Sequence, residues 1–183
     1  VGFDTNRKRI LQLRKNFDHT KEIKEKFKNI YFAHDYKSLN KCNFFIITVP
    51  TPIDKNKKPD LLNLMQATDI VCKVIKKDSI VVLESTVYPG VTEEIIAKRI
   101  EKKTNYKLNK NFFVGYSPER INPGDKVHTI DKITKVISAS SSKSLDIVDF
   151  VYSSAIKAGT YRAKTIKIAE AAKIIENTQR DLN

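Results

Sequence analysis

The chain has 183 residues, of which 40% are hydrophobic and 30% are charged. This length predicts one domain, or one domain and the start of another, and no apolar run is long enough to predict a membrane-spanning helix. The formal net charge of +13 is compatible with a nucleic-acid surface. However, the lysines recur along the whole chain without interleaved aromatic residues, so the pattern favours scattered surface charge and no nucleic-acid partner.

The N-terminus shows no signal-peptide pattern. The two cysteines, Cys42 and Cys72, have neither metal-ligand spacing nor the pattern of a disulfide framework. We interpret both as packing residues. These features predict a cytoplasmic protein with reduced thiols and no metal site.

Short β-like runs alternate with helical patterns along the chain. Apolar, β-branched runs predict strands, whereas apolar residues spaced by three and four predict helices. The predicted strands cover residues 1–4, 30–33, 43–50, 79–85, 111–119, 134–140 and part of 156–163. The predicted helices cover residues 5–16, 61–77, 91–103, 141–155 and 164–183, with Pro89 suited to the first position of the third.

This alternation predicts an α/β fold with a Rossmann-type parallel sheet and right-handed crossovers. Ligands of such sheets bind beyond the carboxyl ends of the strands. In this sequence those ends carry Asp4 and the stretches VPTP, ESTVYPG and SPERINPGD. Because the chain begins within a predicted strand and its last helix has no terminator, we expect it to be a piece of a longer molecule.

Asp4 has two interpretations. In dinucleotide-binding folds, an acidic residue at the end of the second strand accepts hydrogen bonds from the adenosine ribose, which would favour NAD over NADP. Alternatively, Asp4, Thr5 and Asn6 would together cap the helix that follows. The residues by themselves do not decide between the two.

Glu119 and Arg120 lie in a long loop that follows a predicted strand. A carboxylate held at a strand end can act as a base or orient a water, and binding residues concentrate on such loops. We therefore favour a functional role over a plain ion pair. Thr86 also follows an apolar strand, where its hydroxyl would hold a water or the nicotinamide ribose, or else close a turn.

Lys173 and Asn177 are four residues apart on one face of the last predicted helix. An ammonium and an amide that converge on one oxygen would stabilise a developing oxyanion. From the residues alone, an ordinary helix surface is the better interpretation of this pair.

Five stretches, in chain order, resemble the nucleotide-sugar 6-dehydrogenase family, which includes UDP-glucose, GDP-mannose and UDP-N-acetylhexosamine dehydrogenases. They are GFD at 2–4, VPTP at 49–52, ESTVYPG at 84–90, SPERINPGD at 117–125 and AEAAKIIENTQRDLN at 169–183. Each is weak alone, but their order along essentially the whole chain makes the resemblance specific. ERINPGDK with ENTQRDLN is most similar to the branch acting on UDP-N-acetylglucosamine or UDP-N-acetylgalactosamine for surface-polysaccharide synthesis.

The resemblance implies NAD-dependent oxidation of a sugar C6 hydroxyl to the carboxylate in two hydride transfers. It implies an NAD-binding Rossmann-like domain over residues 1–163, without its first strand, and the start of a central helix and middle domain over residues 164–183. Because the family's central helix usually packs between subunits, the resemblance also implies a homodimer.

Residue roles follow from the same resemblance. Asp4 would bind the adenosine ribose, and Arg9 would lie near the cofactor phosphates. Thr51 and Thr86 would line the cofactor, with Thr86 also near the catalytic water.

The substrate side of the site is implied in the same way. Glu119 would be the base or the water-orienting carboxylate, and Arg120 would help to bind the substrate. Lys173 and Asn177 would contact the substrate and stabilise the oxyanion, which reverses the interpretation from the residues alone.

The chain departs from the family pattern in three respects. It contains neither the family's glycine-rich turn nor its nucleophilic cysteine, and Pro123 stands where some members have a second glutamate. We therefore expect the chain by itself to bind NAD poorly and to be inactive. The alternatives are a UDP-glucose 6-dehydrogenase, a dehydrogenase of 6-phosphogluconate or hydroxyacid type, and a non-enzymatic, basic nucleic-acid-binding module.

Overall fold

The structure is a computed structural model that describes residues 1–20, 27–119 and 133–182. The chain divides into two compact units. The first comprises Val1–Cys42 with Lys73–Ile75, and the second comprises Asn43–Cys72 with Lys76–Asn183. The domain boundary placed between residues 163 and 164 stays a prediction.

The first unit contains a parallel pair of short strands, β1 (Gly2–Phe3) and β2 (Phe32–Ala33), and the helix α1 (Arg7–Arg14). Asn6 caps α1, because its side chain accepts a hydrogen bond from the backbone N–H of Arg9. The predicted strand, cap region and helix are therefore confirmed, with Asn6 as the capping residue.

The second unit is built on a five-stranded sheet in the order β3–β4–β5–β6–β7. The strands are β3 (Phe44–Ile47), β4 (Ser79–Leu83), β5 (Phe112–Tyr116), β6 (Lys135–Ala139) and β7 (Thr160–Arg162). β3, β4 and β5 are parallel, as predicted. β6 runs antiparallel to β5, and β7 runs parallel to β6. The α/β fold is thus confirmed, and the sheet is mostly parallel rather than entirely so.

The reversal of β6 depends on a close approach of two backbones. A Cβ added to Gly115 would lie 2.8 Å from the carbonyl oxygen of Ser138, so only glycine fits at this point of β5. The Ser138 hydroxyl also donates a hydrogen bond of 2.8 Å to the Tyr116 carbonyl. Apolar periodicity predicts a strand without predicting its direction, which explains why the sequence pattern did not show this reversal.

Helices pack against the sheet of the second unit. They are α2 (Leu62–Cys72), a π-helical segment (Val91–Ala97) that continues into α3 (Lys98–Thr104), α4 (Ser142–Ser153) and α5 (Ile166–Leu182). The prediction that Pro89 occupies the first position of the third helix is wrong. Gly90 is the capping residue and Val91 begins the helix. Within the described ranges, no helix has the length and apolar character needed to cross a bilayer.

The core of the second unit lies around β4, whose five residues are all buried. Such a run is typical of an internal strand with both faces covered. Ile80 and Val82 of β4 belong to a buried cluster with Ile137 of β6 and with Val148 and Tyr152 of α4. The centre of the sheet is therefore a rigid platform for the polar residues at its edge.

We expect Ser141→Ala to lower the free energy of unfolding by about 1 kcal/mol. Ser141 caps α4 in a reciprocal pair: its hydroxyl accepts from the Ser144 N–H at 3.2 Å, and the Ser144 hydroxyl accepts from the Ser141 N–H at 3.1 Å. Urea-induced unfolding measures the change. The exposed neighbour Ser142 provides the control, since Ser142→Ala should change stability by less than about 0.5 kcal/mol. Equal effects of the two substitutions would contradict the assignment of the cap.

Candidate active site at the carboxyl ends of the strands

The polar stretches that follow the parallel strands β3 and β4 are hydrogen-bonded to one another. The Ser85 hydroxyl donates to the Val49 carbonyl at 2.6 Å, and the Thr51 hydroxyl donates to the Thr86 carbonyl at 2.6 Å. Because parallel strands have their carboxyl ends at one edge of the sheet, these stretches lie side by side there. The structure therefore brings together Thr51 and Thr86, two of the residues that the sequence selected.

A buried polar group lies behind this edge. The Tyr152 hydroxyl donates a hydrogen bond of 2.5 Å to Oε1 of Glu84, the residue that directly follows β4. Nζ of Lys135 lies 3.5 Å from the same oxygen and 3.7 Å from Oε2 of Glu119. The exposed fraction of these side chains rises from 6% for Lys135 to 42% for Glu119, so the group leads from the protein interior to its surface.

The reversed direction of β6 brings Lys135 into this group. Lys135 is the first residue of β6, and an antiparallel strand begins beside the end of its neighbour. The Ser117 hydroxyl, just after β5, donates to the Val136 carbonyl at 2.8 Å and fixes this register. A parallel β6 would have placed Lys135 at the opposite edge of the sheet, away from Glu119.

The electrostatics of the group depend on burial. The pKa of Tyr152 is raised well above its ordinary value, first by burial and then by the neighbouring Glu84 carboxylate, so the phenol keeps its proton and acts as the donor. Nζ of Lys135 is buried and makes no hydrogen bond to the described residues. Its attraction to the two carboxylates is therefore Coulombic, in surroundings where such attraction is weakly screened.

Sequence reasoning missed three residues of this group: Glu84, Lys135 and Tyr152. Glu84 belongs to the ESTVYPG stretch, yet nothing in the pattern assigned it a role. A usable signal was present, because Glu84 directly follows the buried strand β4 and Lys135 stands in the otherwise uncharged strand β6. Charged residues at such positions need a partner.

Glu119, which the sequence also selected at the end of a strand, is half-buried beside Lys135. A carboxylate that is reachable from solvent and held next to a buried ammonium can accept a proton or orient a water. Arg120, predicted to bind the substrate, lies outside the described residues.

Helix α5 carries Lys173 and Asn177, and it packs against β5 and β6. Lys173 is only 7% exposed, and Asn177 is partly buried. A lysine that is buried to this extent is rarely an ordinary surface residue. The face of α5 that bears the pair is therefore covered by the rest of the protein at Lys173, while the part of the two residues in the chemistry stays a prediction.

In the first unit, Asp4 and Arg9 line an open cleft of about 470 Å³. The Asp4 carboxylate accepts a hydrogen bond of 2.7 Å from the N–H of Asn6. The Arg9 guanidinium bonds at 2.7 Å to both Asp18 and the Nδ1 of His19. Arg9, expected near a phosphate, therefore also has a structural role that its sequence position did not indicate.

The surroundings of Cys72 disfavour a nucleophilic role. Cys42 and Cys72 are unpaired and partly buried, and burial raises the pKa of the Cys72 thiol to about 11. A thiol with such a pKa carries little of the reactive thiolate at neutral pH. Across the described residues, no group of histidine, cysteine and carboxylate side chains has the arrangement of a metal site.

The fold and its polar strand ends define an α/β domain of the dinucleotide-binding class. Residues 1–156 match the model of the UDP-glucose/GDP-mannose dehydrogenase family, NAD binding domain. The chain belongs to this family. This match confirms three predictions: the family resemblance seen in the sequence motifs, the Rossmann-type fold, and NAD as the cofactor.

Three known proteins illustrate the similarity. The whole chain aligns with 44% of the length of protein CapL from Staphylococcus aureus, and the aligned residues are 55% identical. It also aligns over its whole length with 44% of a UDP-N-acetyl-D-glucosamine 6-dehydrogenase from Pseudomonas aeruginosa, at 51% identity. The structure of a UDP-D-ManNAc dehydrogenase from Pyrococcus horikoshii superposes on 98% of the chain with a TM-score of 0.90 and 29% identity, over 44% of that protein. The chain thus spans less than half the length of the relatives it matches.

We expect Tyr152→Phe to lower the free energy of unfolding by about 1.5 to 3 kcal/mol, because it removes the hydrogen-bond donor of a poorly solvated carboxylate. Chemical denaturation measures the change. Tyr161 offers a matched control, since it is 62% exposed and Tyr161→Phe should shift stability by less than about 0.5 kcal/mol. If Tyr152→Phe were equally neutral, the bond to Glu84 would not stabilise the fold.

Proposed function

We propose that the protein containing this chain oxidises the C6 hydroxyl of a UDP-N-acetylhexosamine to the carboxylate, using NAD, to supply precursors of a surface polysaccharide. The observation that carries this proposal is the 51% identity, over the whole chain, to a UDP-N-acetyl-D-glucosamine 6-dehydrogenase. The polar strand ends described above support the proposal, because a carboxylate such as that of Glu119 can take part in proton transfer. The alternatives of a UDP-glucose or a 6-phosphogluconate type of dehydrogenase are not favoured, because the relatives that match the whole chain at 49–51% identity are named UDP-N-acetyl-D-glucosamine 6-dehydrogenases.

The strand-end residues would handle the proton at the reacting carbon. Bound NAD supplies the hydride acceptor. Glu119 would accept the proton of the C6 hydroxyl, directly or through a water held by the exposed Thr86 hydroxyl. Lys135, 3.7 Å from Glu119, supports this role because its positive charge holds the carboxylate in place. Arg120 would add a cation for the substrate.

The residues of α5 would stabilise the charge that develops on the substrate. The Lys173 ammonium and the Asn177 amide would donate hydrogen bonds to the C6 oxygen as it loses its proton. The 7% exposure of Lys173 supports this role, because donors in a poorly solvated site stabilise an oxyanion more than donors in water do.

The cofactor residues fit the groups that NAD presents. The Asp4 carboxylate, exposed at the end of β1, has the acceptor chemistry that ribose hydroxyls require. The Arg9 guanidinium carries more N–H groups than its bonds to Asp18 and His19 use, so it could also reach a phosphate. Thr51, at the end of β3, would line the nicotinamide side together with Thr86.

We also propose a homodimer formed through α5. Ile168, Ile175 and Leu182 are 50%, 65% and 82% exposed. They are seven residues apart, so they form one apolar stripe along the helix. A second copy of the helix would cover this stripe.

The unpaired cysteines support a cytoplasmic location, where thiols remain reduced. The basic surface is not proposed to bind nucleic acid.

The function is tested by following NADH formation by the full protein with UDP-N-acetylglucosamine, UDP-N-acetylgalactosamine and UDP-glucose. We expect the highest kcat/KM with one of the acetamido sugars. A preference for UDP-glucose would move the protein to the first alternative, and no turnover with any of the three would refute the proposal.

We expect Lys173→Met to lower kcat by about 100-fold or more, because it removes one donor from the oxyanion. Steady-state kinetics with the preferred sugar measures the loss. Lys164→Met removes an exposed lysine just before α5 and serves as the control, with kcat unchanged. A Lys173→Met protein with normal kcat would remove Lys173 from the catalytic residues.

We expect Asp4→Ala to raise the Kd for NAD by about tenfold, through the loss of charged hydrogen bonds to the ribose, and to narrow the preference for NAD over NADP. Calorimetric titration with both cofactors measures the two effects. The control is Asp35→Ala in the same unit, which removes an exposed carboxylate that caps the short 3-10 helix Tyr36–Leu39, and it should leave the Kd unchanged. A weaker affinity with an unchanged preference would argue against a contact between Asp4 and the ribose.

A further inference from the structure

The helical segment that follows β4 begins without a capping side chain. Gly90 is its N-cap residue, with a φ of 100°, and it has no side chain to pair the first backbone N–H groups. A Cβ at this position would lie 3.1 Å from the carboxyl group of Glu94. Gly90, Val91 and Thr92 are all buried. The N–H of Val91 donates to the Tyr88 carbonyl at 3.3 Å, whereas the N–H groups of Gly90 and Thr92 need a partner from elsewhere in the protein.

Glu170 of α5 is that partner. Its carboxylate accepts hydrogen bonds from the N–H of Gly90 at 2.6 Å, from the N–H of Thr92 at 2.9 Å and from the hydroxyl of Thr92 at 2.6 Å. Glu170 and Thr92 are both 0% exposed. A carboxylate at a helix N-terminus is favoured by the helix dipole as well as by these bonds. Glu170 therefore acts as the cap of a helix to which it does not belong.

This cap fixes the orientation of α5. Residues three and seven apart lie on one helix face, so Lys173 and Asn177 share the face of Glu170. Three bonds to one carboxylate restrict both the rotation of α5 about its axis and its displacement along it. Gly90, at the other end of the contact, is only four residues after Thr86 in the same ESTVYPG stretch.

We propose that Glu170 is a positioning residue for the oxidation: by capping the segment that starts at Gly90, it sets where Lys173 stands relative to the strand ends. This inference rests on the proposed function, because it gives Lys173 a catalytic task. Glu170 itself is fully buried and bonded to the protein, so it acts through Lys173 rather than on the substrate.

A second contact between the same two elements provides a matched control. Nζ of Lys167, one turn before Glu170, lies 2.5 Å from Oε1 of Glu94. Both side chains are more than half exposed, and an exposed ion pair holds its partners weakly. Lys167→Met therefore removes a contact between α5 and the π-helical segment without disturbing the buried cap.

The test is a double-mutant cycle on kcat and KM in the full protein, with Glu170→Gln, Lys173→Met, their combination and Lys167→Met. The glutamine amide places a donor against N–H groups that need an acceptor. We expect Glu170→Gln to lower kcat roughly 10- to 100-fold, as a displacement of about 1 Å does, with the KM for NAD almost unchanged. In the Lys173→Met background, Glu170→Gln should lower kcat by less than about threefold, because residues that act as a unit are not additive. Lys167→Met should leave kcat unchanged.

Two outcomes would overturn the inference while leaving the proposed function intact. One is a normal kcat for Glu170→Gln when Lys173→Met is impaired, and the other is losses that multiply fully in the double variant. If the wild-type protein oxidises no UDP-sugar, or if Lys173→Met has a normal kcat, the proposed function or its assignment of Lys173 fails and this inference fails with it. Should Glu170→Gln not fold, Thr92→Val removes one of the three bonds from the opposite side and must show the same non-additivity with Lys173→Met.

Discussion

The buried N–H groups of Gly90 and Thr92, at the start of the helix after β4, must be paired, and the buried carboxylate of Glu170 pairs them. This contact joins the start of the π-helical segment to α5 within the second unit. An unpaired buried N–H or carboxylate is costly, so the pairing disfavours arrangements of the ESTVYPG stretch and α5 in which donor and acceptor do not meet. The same requirement, applied at the strand ends, ties Glu84 to Tyr152 and Lys135.

The direction of β6 is the second constraint on the candidate site. A parallel sheet collects the carboxyl ends of its strands at one edge, and an antiparallel strand contributes its first residue to that same edge. Lys135 reaches Glu119 for this reason, and Gly115 permits the close approach that the reversal requires. The resulting edge combines the exposed Thr86, the half-buried carboxylate of Glu119 and the buried ammonium of Lys135.

The sequence predicted the elements well where local physics decides them. The apolar run of β4, the spacing in α2 and the serines before α4 each have a local cause, and the structure confirms all three. It predicted the tertiary contacts less well. Lys135, Tyr152 and Glu170 acquire their roles from residues 51, 68 and 78–80 positions away in the chain, and no short-range pattern encodes such partners. Lys173 shows the difference: its spacing suggested a surface residue, whereas the structure buries it.

The most direct test of the account is the number of NADH molecules formed for each UDP-N-acetylhexosamine consumed by the full protein, with the product identified by mass spectrometry. The account predicts two NADH per sugar and a product with a carboxylate at C6. One NADH per sugar, with an aldehyde or a ketone as the final product, would contradict it.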